Sequence, residues 1–512
     1  MKLQRNIHAY SLLFIAVGGM IGSGWLFGPF YAAQVAGPAA ILSWVIGGIL
    51  MMCIALTFAE LATTFPVAGG MVRFVQFSHG SMVSFTLAWV AWLASVVVSP
   101  IETLAILQYA STYVPGLTHR VSGAHTLSGL GVILAALLML LMVYFNSVGV
   151  KWFAKTNNSI IFWKLVIPIT TMMVLFACNF HTANFVSHQF MPGGFESVLS
   201  ALPTAGVIFS YIGYSAAIQM AGEAKNPQKA VPLAVIGSIL FCIALFVLLQ
   251  TAFIGAVPVH SIDHGWPFLN FTGDAGPIAG ILLTIGLVWY VKLLYADAVI
   301  SPFGTALIYT ASTARINFAM SQNDHMPKFF QLLNKRGVPL RAMLVNYLIG
   351  LLLFLPFPGW QQMVSFLVSC FVLSYAVGPI ALISLRKKLP DRNRPFRLPC
   401  ATVMSLFAFY VCNLIIYWTG WSTIWRMLLV IGLGYVYLAL NKRFKLSGLN
   451  TLNALWLFPY LGGIGIISYF GSFGGGMHII TFGWDFVVIA LFSISIYMVA
   501  VFSVDHSGEV KL

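Results

Sequence analysis

The sequence predicts an all-α polytopic membrane protein with about fourteen membrane-spanning helices. Hydrophobic residues make up 60% of the 512 positions and charged residues only 7%, whereas soluble domains carry about 25% charged residues. Apolar runs of about 20 residues, long enough to cross a bilayer, recur along the chain between short polar loops. The placement of the basic residues supplies a third observation, because it predicts how these runs are oriented.

The predicted spans leave no room for a soluble domain or a long linker. In chain order they are 8–36, 38–63, 82–113, 125–148, 156–178, 198–222, 230–257, 276–320, 341–357, 361–386, 401–420, 422–440, 453–471 and 480–504. The first run is too long for a signal-peptide core and has no small-residue cleavage site, so we expect it to be retained as the first span.

The run 276–320 is too long for one straight span. Its 45 residues would form a helix of roughly 68 Å, against a hydrocarbon core of about 30 Å. We therefore expect a peripheral or partly inserted helix over 276–296, followed by a span that begins near Asp297. Ser301, Pro302 and Gly304 are expected to supply the break.

The net charge of +14 follows the predicted topology. All but four of the 26 Lys and Arg residues fall in loops on the same side as the two termini. The exceptions are Arg120, Lys164, Lys292 and Arg426. This bias predicts cytoplasmic termini, and we expect the protein to lie in the inner (cytoplasmic) membrane. It also makes the lipid bilayer, rather than a nucleic acid, the expected partner of the basic loops.

Two predicted spans carry glycine where a helix has to cross the membrane. The stretch "AVGGMIGSGWLFGPF" (16–30) contains five glycines, and "FSYIGYSAA" (209–217) places Gly213 within the sixth span. Glycine in a helix interior costs roughly 1 kcal/mol relative to alanine. Interrupted helices at corresponding positions five spans apart are typical of inverted-repeat transporters with a midplane binding site. Close helix packing is the alternative explanation for these glycines.

A break in the first span would create a site for a zwitterion. The free N–H groups of Ser23, Gly24 and Trp25, at the positive end of the second half-helix, can bind a carboxylate; we call these three groups the carboxylate cradle. Unpaired carbonyl groups around Met20 and within 209–212 can accept hydrogen bonds from an ammonium group.

The chain carries the motifs "GGMIGSGWLFGP", "AELATTFPVAGG", "GEAKNPQKAVP", "ARINFAMSQNDHMPKFF" and "RPFRLP". These motifs are similar to those of the amino acid-polyamine-organocation superfamily. In addition, "IGSGW" and Glu102 in the third span resemble a bacterial branch that includes aspartate-proton symporters. The resemblance implies a leucine-transporter-like fold with a 5+5 inverted repeat and broken helices 1 and 6. The repeats would be 1–178 and 179–397, with peripheral spans in 398–512. It also implies transport by alternating access.

The resemblance further implies roles for individual residues. The substrate-binding residues would be Met20, Ser23, Gly24, Phe209, Ile212 and Glu102, and the proton-coupling residue would be Lys164. One position departs from the pattern, because many relatives carry an acidic residue where this chain has Ser215.

Ionisable residues within apolar spans are functional candidates on physical grounds alone. Desolvation disfavours the charged form of Lys164, so this residue could exchange a proton; snorkelling to the cytoplasm is the alternative. Glu102 could carry a proton, balance a cationic substrate or remain a protonated structural acid. Lys292 and Asp297 could form an ion pair in an outer vestibule or serve a function. Glu60 and Glu223 are expected to anchor loops.

These features predict a secondary active amino acid transporter, with proton symport as the mechanism. An exchanger or a transporter-derived nutrient sensor remains open, and the sequence does not specify the amino acid or the oligomeric state. An enzyme would need a nucleophile with a base, or a metal cluster, at midplane depth. The six scattered cysteines and the "HSIDH" histidines show no ligand spacing for a metal. We therefore expect no metal, no cofactor and no enzymatic activity.

Overall fold

The computed structural model describes residues 7–503 apart from 68–69, 122–123, 149, 272–275, 358 and 442–451, and it is almost entirely helical. The helices of the first half are α1 (Ala9–Met20), α2 (Gly24–Ala36), α3 (Ala40–Thr64), α4 (Gly70–His79), α5 (Ser81–Ala110), α6 (Gly129–Val148), α7 (Val150–Cys178), α8 (Gly194–Thr204), α9 (Val207–Tyr211) and α10 (Tyr214–Gln219). Those of the second half are α11 (Pro227–Ala256), α12 (Pro277–Thr284), α13 (Val288–Gln322), α14 (Leu340–Leu352), α15 (Trp360–Lys388), α16 (Ala401–Trp418), α17 (Trp421–Asn441), α18 (Leu457–Phe470) and α19 (Trp484–Phe502). Short 3₁₀ turns occupy Gly37–Ala39, Thr182–Phe185, Ala221–Glu223, Val259–Ile262, Trp266–Phe268, Lys328–Gln331 and Leu452–Ala454.

The helix lengths confirm a polytopic membrane protein. Within the described residues, ten helices are long and apolar enough to cross a membrane, or eleven if the bent pair formed by α8 and α9–α10 is one span. This count joins α2 and α3 into one run of 41 residues, and α1, α14 and α18 are shorter apolar helices.

The predicted break in the run 276–320 lies at the wrong place. Helix α13 continues for 35 residues through Ser301, Pro302 and Gly304, and the interruption occurs earlier, between α12 and α13. Gly286 makes this interruption. Its φ of +84° is left-handed, a conformation that glycine adopts readily. The segment before the span is thus only the short helix α12, and the long helix begins at Val288 rather than near Asp297.

A short β-hairpin replaces the start of the predicted fourth span. Strand β1 (Thr118–Val121) pairs antiparallel with β2 (Ala124–Leu127), and α6 begins at Gly129 rather than at residue 125. The β-branched residues of these strands favour extended backbone. Residues 125–127 were expected to be helical because they run directly into the apolar segment.

The two glycine-rich spans are interrupted in different ways. Helix α1 ends at Met20 and α2 begins at Gly24, which leaves residues 21–23 outside regular helix. In the other span, the left-handed Gly206 (φ +87°) separates α8 from α9, and the helix axis bends by 51°. A second, milder interruption at Gly213 separates α9 from α10, with Gly213 itself in the right-handed helical region.

Long central helices surround these interruptions. Helix α5 packs along α13 and α15, and α3 packs along α11, which in turn contacts α1. The helix α15 is buried along nearly its whole length, whereas α6 exposes Ile133, Leu137 and Tyr144. Such an outward apolar face matches a helix that meets lipid.

Candidate functional site

The two interrupted spans touch each other through their backbones. A Cβ atom on Gly213 would overlap the Gly19 and Met20 backbone, approaching the Gly19 carbonyl oxygen at 2.7 Å. A Cβ on Gly19 would lie 3.4 Å from the Gly213 Cα. Because Gly213 has an ordinary helical conformation, it is required here for close approach and not for an unusual φ angle.

One N–H group of the carboxylate cradle already binds a carboxyl group from within the protein. The Ser23 N–H donates to Oε2 of Glu102 at 2.9 Å, and both residues are fully buried. Glu102 lies on α5, 79 residues away in sequence. The sequence placed Glu102 near the substrate side chain, whereas in the structure its carboxyl group occupies the position predicted for the substrate carboxylate.

The glycine before the cradle makes room for this arrangement. A Cβ on Gly22 would lie 2.6 Å from Oε1 of Glu102 and 3.0 Å from Oγ1 of Thr305. Among the residues that the structure describes, none forms a hydrogen bond with Oε1 of Glu102. A side chain at this position would therefore push the Glu102 carboxyl group away from the Ser23 N–H.

Lys164 is held inside the protein and does not snorkel. Its side chain is only 1% exposed, and its ammonium group donates to the Gly18 carbonyl oxygen at 3.1 Å and to Oγ1 of Thr305 at 2.5 Å. The Gly18 carbonyl is available because α1 ends two residues later. Lys164 and Glu102 also interact electrostatically. These contacts place the predicted coupling residue beside the helix break.

The remaining predicted residues lie around the same break. Met20 and Ile212 are buried at the ends of α1 and α9. The carbonyl groups of Phe209 and Ile212 accept N–H groups within their own turns, at 3.3 and 3.1 Å, and each carbonyl oxygen has two lone pairs. A Cβ on Gly24 would overlap the Ser210 hydroxyl group and approach the Phe209 ring at 3.3 Å.

Aromatic side chains close the site on the α15 side. The Trp360 indole N–H donates to Oγ of Ser23 at 3.0 Å. The Trp360 ring also contacts the rings of Phe27, Tyr31 and Phe209, with centroids 5.4 to 6.0 Å apart. Trp360 and Thr305 could not be identified from the sequence, because each reaches the site from a distant helix and belongs to no local motif.

Ser215 lies beside two buried tyrosines. Its side chain interacts with the hydroxyl groups of Tyr309 and Tyr375, and the charge of Glu102 acts on Tyr309. The position at which many relatives carry an acid is thus next to the site, where Ser215 offers a neutral hydroxyl group.

Asp297 is a buried acid and not part of a vestibule ion pair. It is fully buried, whereas Lys292 is exposed. Oδ1 of Asp297 accepts the Ser301 hydroxyl at 2.6 Å, and within the described part of the chain Oδ2 accepts no hydrogen bond of normal geometry. The sequence contained one indication of this hydrogen bond, since Asp297 and Ser301 are four residues apart and share a helix face.

Glu60 anchors a loop, as predicted. Arg386 donates two hydrogen bonds to the Glu60 carboxylate, at 2.8 and 2.6 Å. The Leu398 N–H donates a third at 2.7 Å. Arg394 lies 3.6 Å from the same carboxylate. Partial burial lowers the pKa of Arg394, and the negative charge of Glu60 opposes that change. These contacts of Glu60 with Arg386, Arg394 and Leu398, which we call the clamp, join the end of α3 to the loop that follows α15.

Comparison with known proteins gives consistent matches over most of the chain. The family model described as amino acid permease matches residues 7–438. The glutamate/serine transporter AimA of Bacillus subtilis (strain 168) is 40% identical over 506 residues, covering 97% of this chain and 93% of that protein. The aspartate-proton symporter of the same organism is 33% identical over 502 residues, covering 97% and 96%. Its branched-chain amino acid permease BcaP is 28% identical over 465 residues, covering 87% and 95%.

Proposed function

Because the chain belongs to the amino acid permease family, and is therefore an amino acid transporter and not an enzyme, we propose that it works by proton symport. The observation that carries the proposal is the pairing at the helix break. The Glu102 carboxyl group binds the Ser23 N–H, and the Lys164 ammonium group lies beside it. Two relatives support the choice of cargo and ion, since one is named a glutamate/serine transporter and the other an aspartate-proton symporter.

The proposal includes the architecture and orientation that the sequence predicts. Fourteen spans would be arranged as two inverted repeats, 1–178 and 179–397, with peripheral spans in 398–512. Both termini would face the cytoplasm from the inner membrane. The interruptions of α1–α2 and α8–α10 and the one-sided placement of basic residues support this arrangement.

Competition between two carboxylates supplies the coupling. The substrate carboxylate and Glu102 require the same N–H group of the carboxylate cradle. A protonated Glu102 accepts a weaker hydrogen bond than the carboxylate does, so protonation from the outer side allows the substrate to replace it. On the cytoplasmic side, loss of the proton restores the Glu102 carboxylate, which recaptures the Ser23 N–H and displaces the substrate.

Lys164 takes part by linking the α1 side of the break to α13. As an ammonium group it binds Gly18 on the α1 side and Thr305 on α13. The Thr305 hydroxyl in turn lies 3.4 Å from the Ile21 carbonyl oxygen. A change in the protonation of the Glu102–Lys164 pair therefore alters contacts that link α1 to α13, which is the connection that alternating access has to change.

Transport in proteoliposomes tests the proposal. Purified protein is reconstituted with an acidic outer buffer, and uptake of labelled glutamate, serine and aspartate is measured with and without a sodium gradient. We expect accumulation of at least one of these amino acids, driven by the pH gradient and abolished by a protonophore. Liposomes without protein provide the control.

Two outcomes would contradict symport. Uptake that follows the sodium gradient and ignores pH would identify a different coupling ion. Uptake that requires an amino acid inside the liposomes, with no net accumulation under a pH gradient, would identify an exchanger.

A further inference from the structure

The buried charges around the helix break do not balance. Glu102, Lys164 and Asp297 are all within 1% of full burial, and they comprise two acids and one base. Fully ionised, the three groups would carry one net negative charge, and an uncompensated buried charge is costly. One additional proton makes the group neutral. Glu102 and Lys164 are already used by the proposed mechanism, whereas Asp297 is not.

The surroundings of Asp297 fit a carboxyl group that changes its protonation. One oxygen is held by Ser301 at 2.6 Å, and the other is buried without a hydrogen bond of normal geometry from any residue that the structure describes. The indole N–H groups of Trp25 and Trp163 interact with this carboxyl group, but they lie outside normal hydrogen-bond geometry. A small shift of the helices would bring these two donors and the carboxyl oxygen into full hydrogen bonds.

The helices that bring these groups together are those of the coupling site. Trp25 lies in the first turn of α2, two residues after Ser23, and Trp163 directly precedes Lys164 on α7. Other titratable groups that face Asp297 are Lys164 itself, Tyr109 on α5 and Tyr290 on α13. Lys164 is the cation among these groups, and its charge acts on both acids.

Asp297 lies nearer to the N-terminal end of α13 than Thr305 does. It precedes Thr305 by eight residues, which is about 12 Å along the helix, and it lies toward the end that begins at Val288. In the proposed topology this is the outer end of the span. Asp297 therefore stands between the outer solution and the Lys164–Glu102 pair.

We propose that Asp297 is the acceptor that takes the coupling proton from the outer side and passes it to the Lys164–Glu102 pair. This inference rests on the proposed proton symport. The Asp297 carboxylate gains the proton to become a neutral carboxyl group, and the same proton then leaves for the pair, so that Asp297 returns to its starting form. Asp297 needs no contact with the amino acid that is carried.

The substitution Asp297→Asn tests this relay, because asparagine keeps the shape and cannot carry the proton. We expect the initial rate of uptake driven by a pH gradient to fall at least tenfold. Counterflow exchange without a gradient should remain within twofold of wild type, and the dissociation constant of the amino acid should be unchanged. Asp297→Glu should restore part of the gradient-driven rate.

A matched control is Asp485→Asn, which removes a buried carboxylate at the start of the peripheral helix α19 and should leave uptake unchanged. Ser301→Ala, which removes only the donor to Oδ1, should slow gradient-driven uptake a few-fold with normal counterflow, and it serves if the Asp297 variant does not fold. The relay is refuted if wild-type uptake is proton-driven and the folded Asp297→Asn variant equals it, or if uptake and counterflow fall together. Wild-type uptake that ignores the pH gradient would instead refute the proposed symport, and the relay with it.

Discussion

Glu102→Gln is the most direct test of carboxylate competition. Glutamine preserves the length of the side chain and can still accept the Ser23 N–H, which Glu102 binds at 2.9 Å. A hydrogen bond to a charged group contributes about 1.5–3 kcal/mol, and one to a neutral group about 0.5–1.5 kcal/mol. The substitution therefore lowers the cost of displacing this side chain by about 1.4 kcal/mol, which corresponds to about a tenfold change in affinity.

The charge of Lys164 also favours tighter substrate binding by the Glu102→Gln variant. Removing the Glu102 charge leaves Lys164 with less negative charge nearby, and a bound substrate carboxylate restores it. We therefore expect the variant to bind its amino acid about tenfold more tightly at neutral pH. Gradient-driven accumulation should be lost, because the variant can no longer release the substrate by recapturing the cradle.

Isothermal titration at several pH values measures this effect. Wild-type affinity should rise as the pH falls, since protonated Glu102 competes less strongly, whereas the affinity of Glu102→Gln should hardly depend on pH. Glu196→Gln on α8 provides a control carboxylate outside the site. A folded Glu102→Gln variant that binds at least tenfold more weakly would refute competition and indicate that Glu102 contacts the substrate directly.

Four further substitutions test the predicted site and the loop anchor. Lys164→Ala should abolish accumulation driven by a pH gradient but keep counterflow, and equal accumulation by variant and wild type would remove Lys164 from the coupling scheme. Ser23→Ala should weaken binding by no more than about tenfold, because the backbone N–H remains. Gly24→Val should abolish binding in titrations because its side chain overlaps Ser210; unchanged affinity in the folded protein would refute the cradle. Glu60→Gln should destabilise the protein by about 3 kcal/mol, because it leaves a partly buried arginine without its charged partner; an unchanged melting temperature would show that the clamp contributes little.

Local patterns were sufficient to predict the first helix break and a buried cation. The glycines of "GGMIGSG" lie where α1 ends and α2 begins, and the apolar surroundings of Lys164 indicated a buried cation. These features depend on residues that are close in sequence. Pattern reasoning placed the interruption of α12–α13 at Pro302, because proline is a common helix breaker, whereas the helix continues through Pro302 and Gly286 makes the turn.

The partners within the site could not be derived in the same way. Glu102 reaches Ser23 across 79 positions, and Trp360 reaches the Ser23 hydroxyl across 337. Such contacts depend on how the helices pack, which a hydropathy pattern does not contain. The burial of Asp297 required the same knowledge, since its neighbours Trp25 and Trp163 come from two other helices.

The backbone contact between Gly19 and Gly213 limits where the cargo preference of such a transporter can evolve. No side chain fits on Gly213, so this contact is the same whichever amino acid is carried. A substitution of Gly213 should therefore abolish transport and not change its selectivity. Selection for a new cargo must act on the surrounding side chains, such as Phe209, Ile212 and Trp360. In a library randomised across the site and selected for growth on different amino acids, variation should concentrate at those three positions while Gly213 survives every selection.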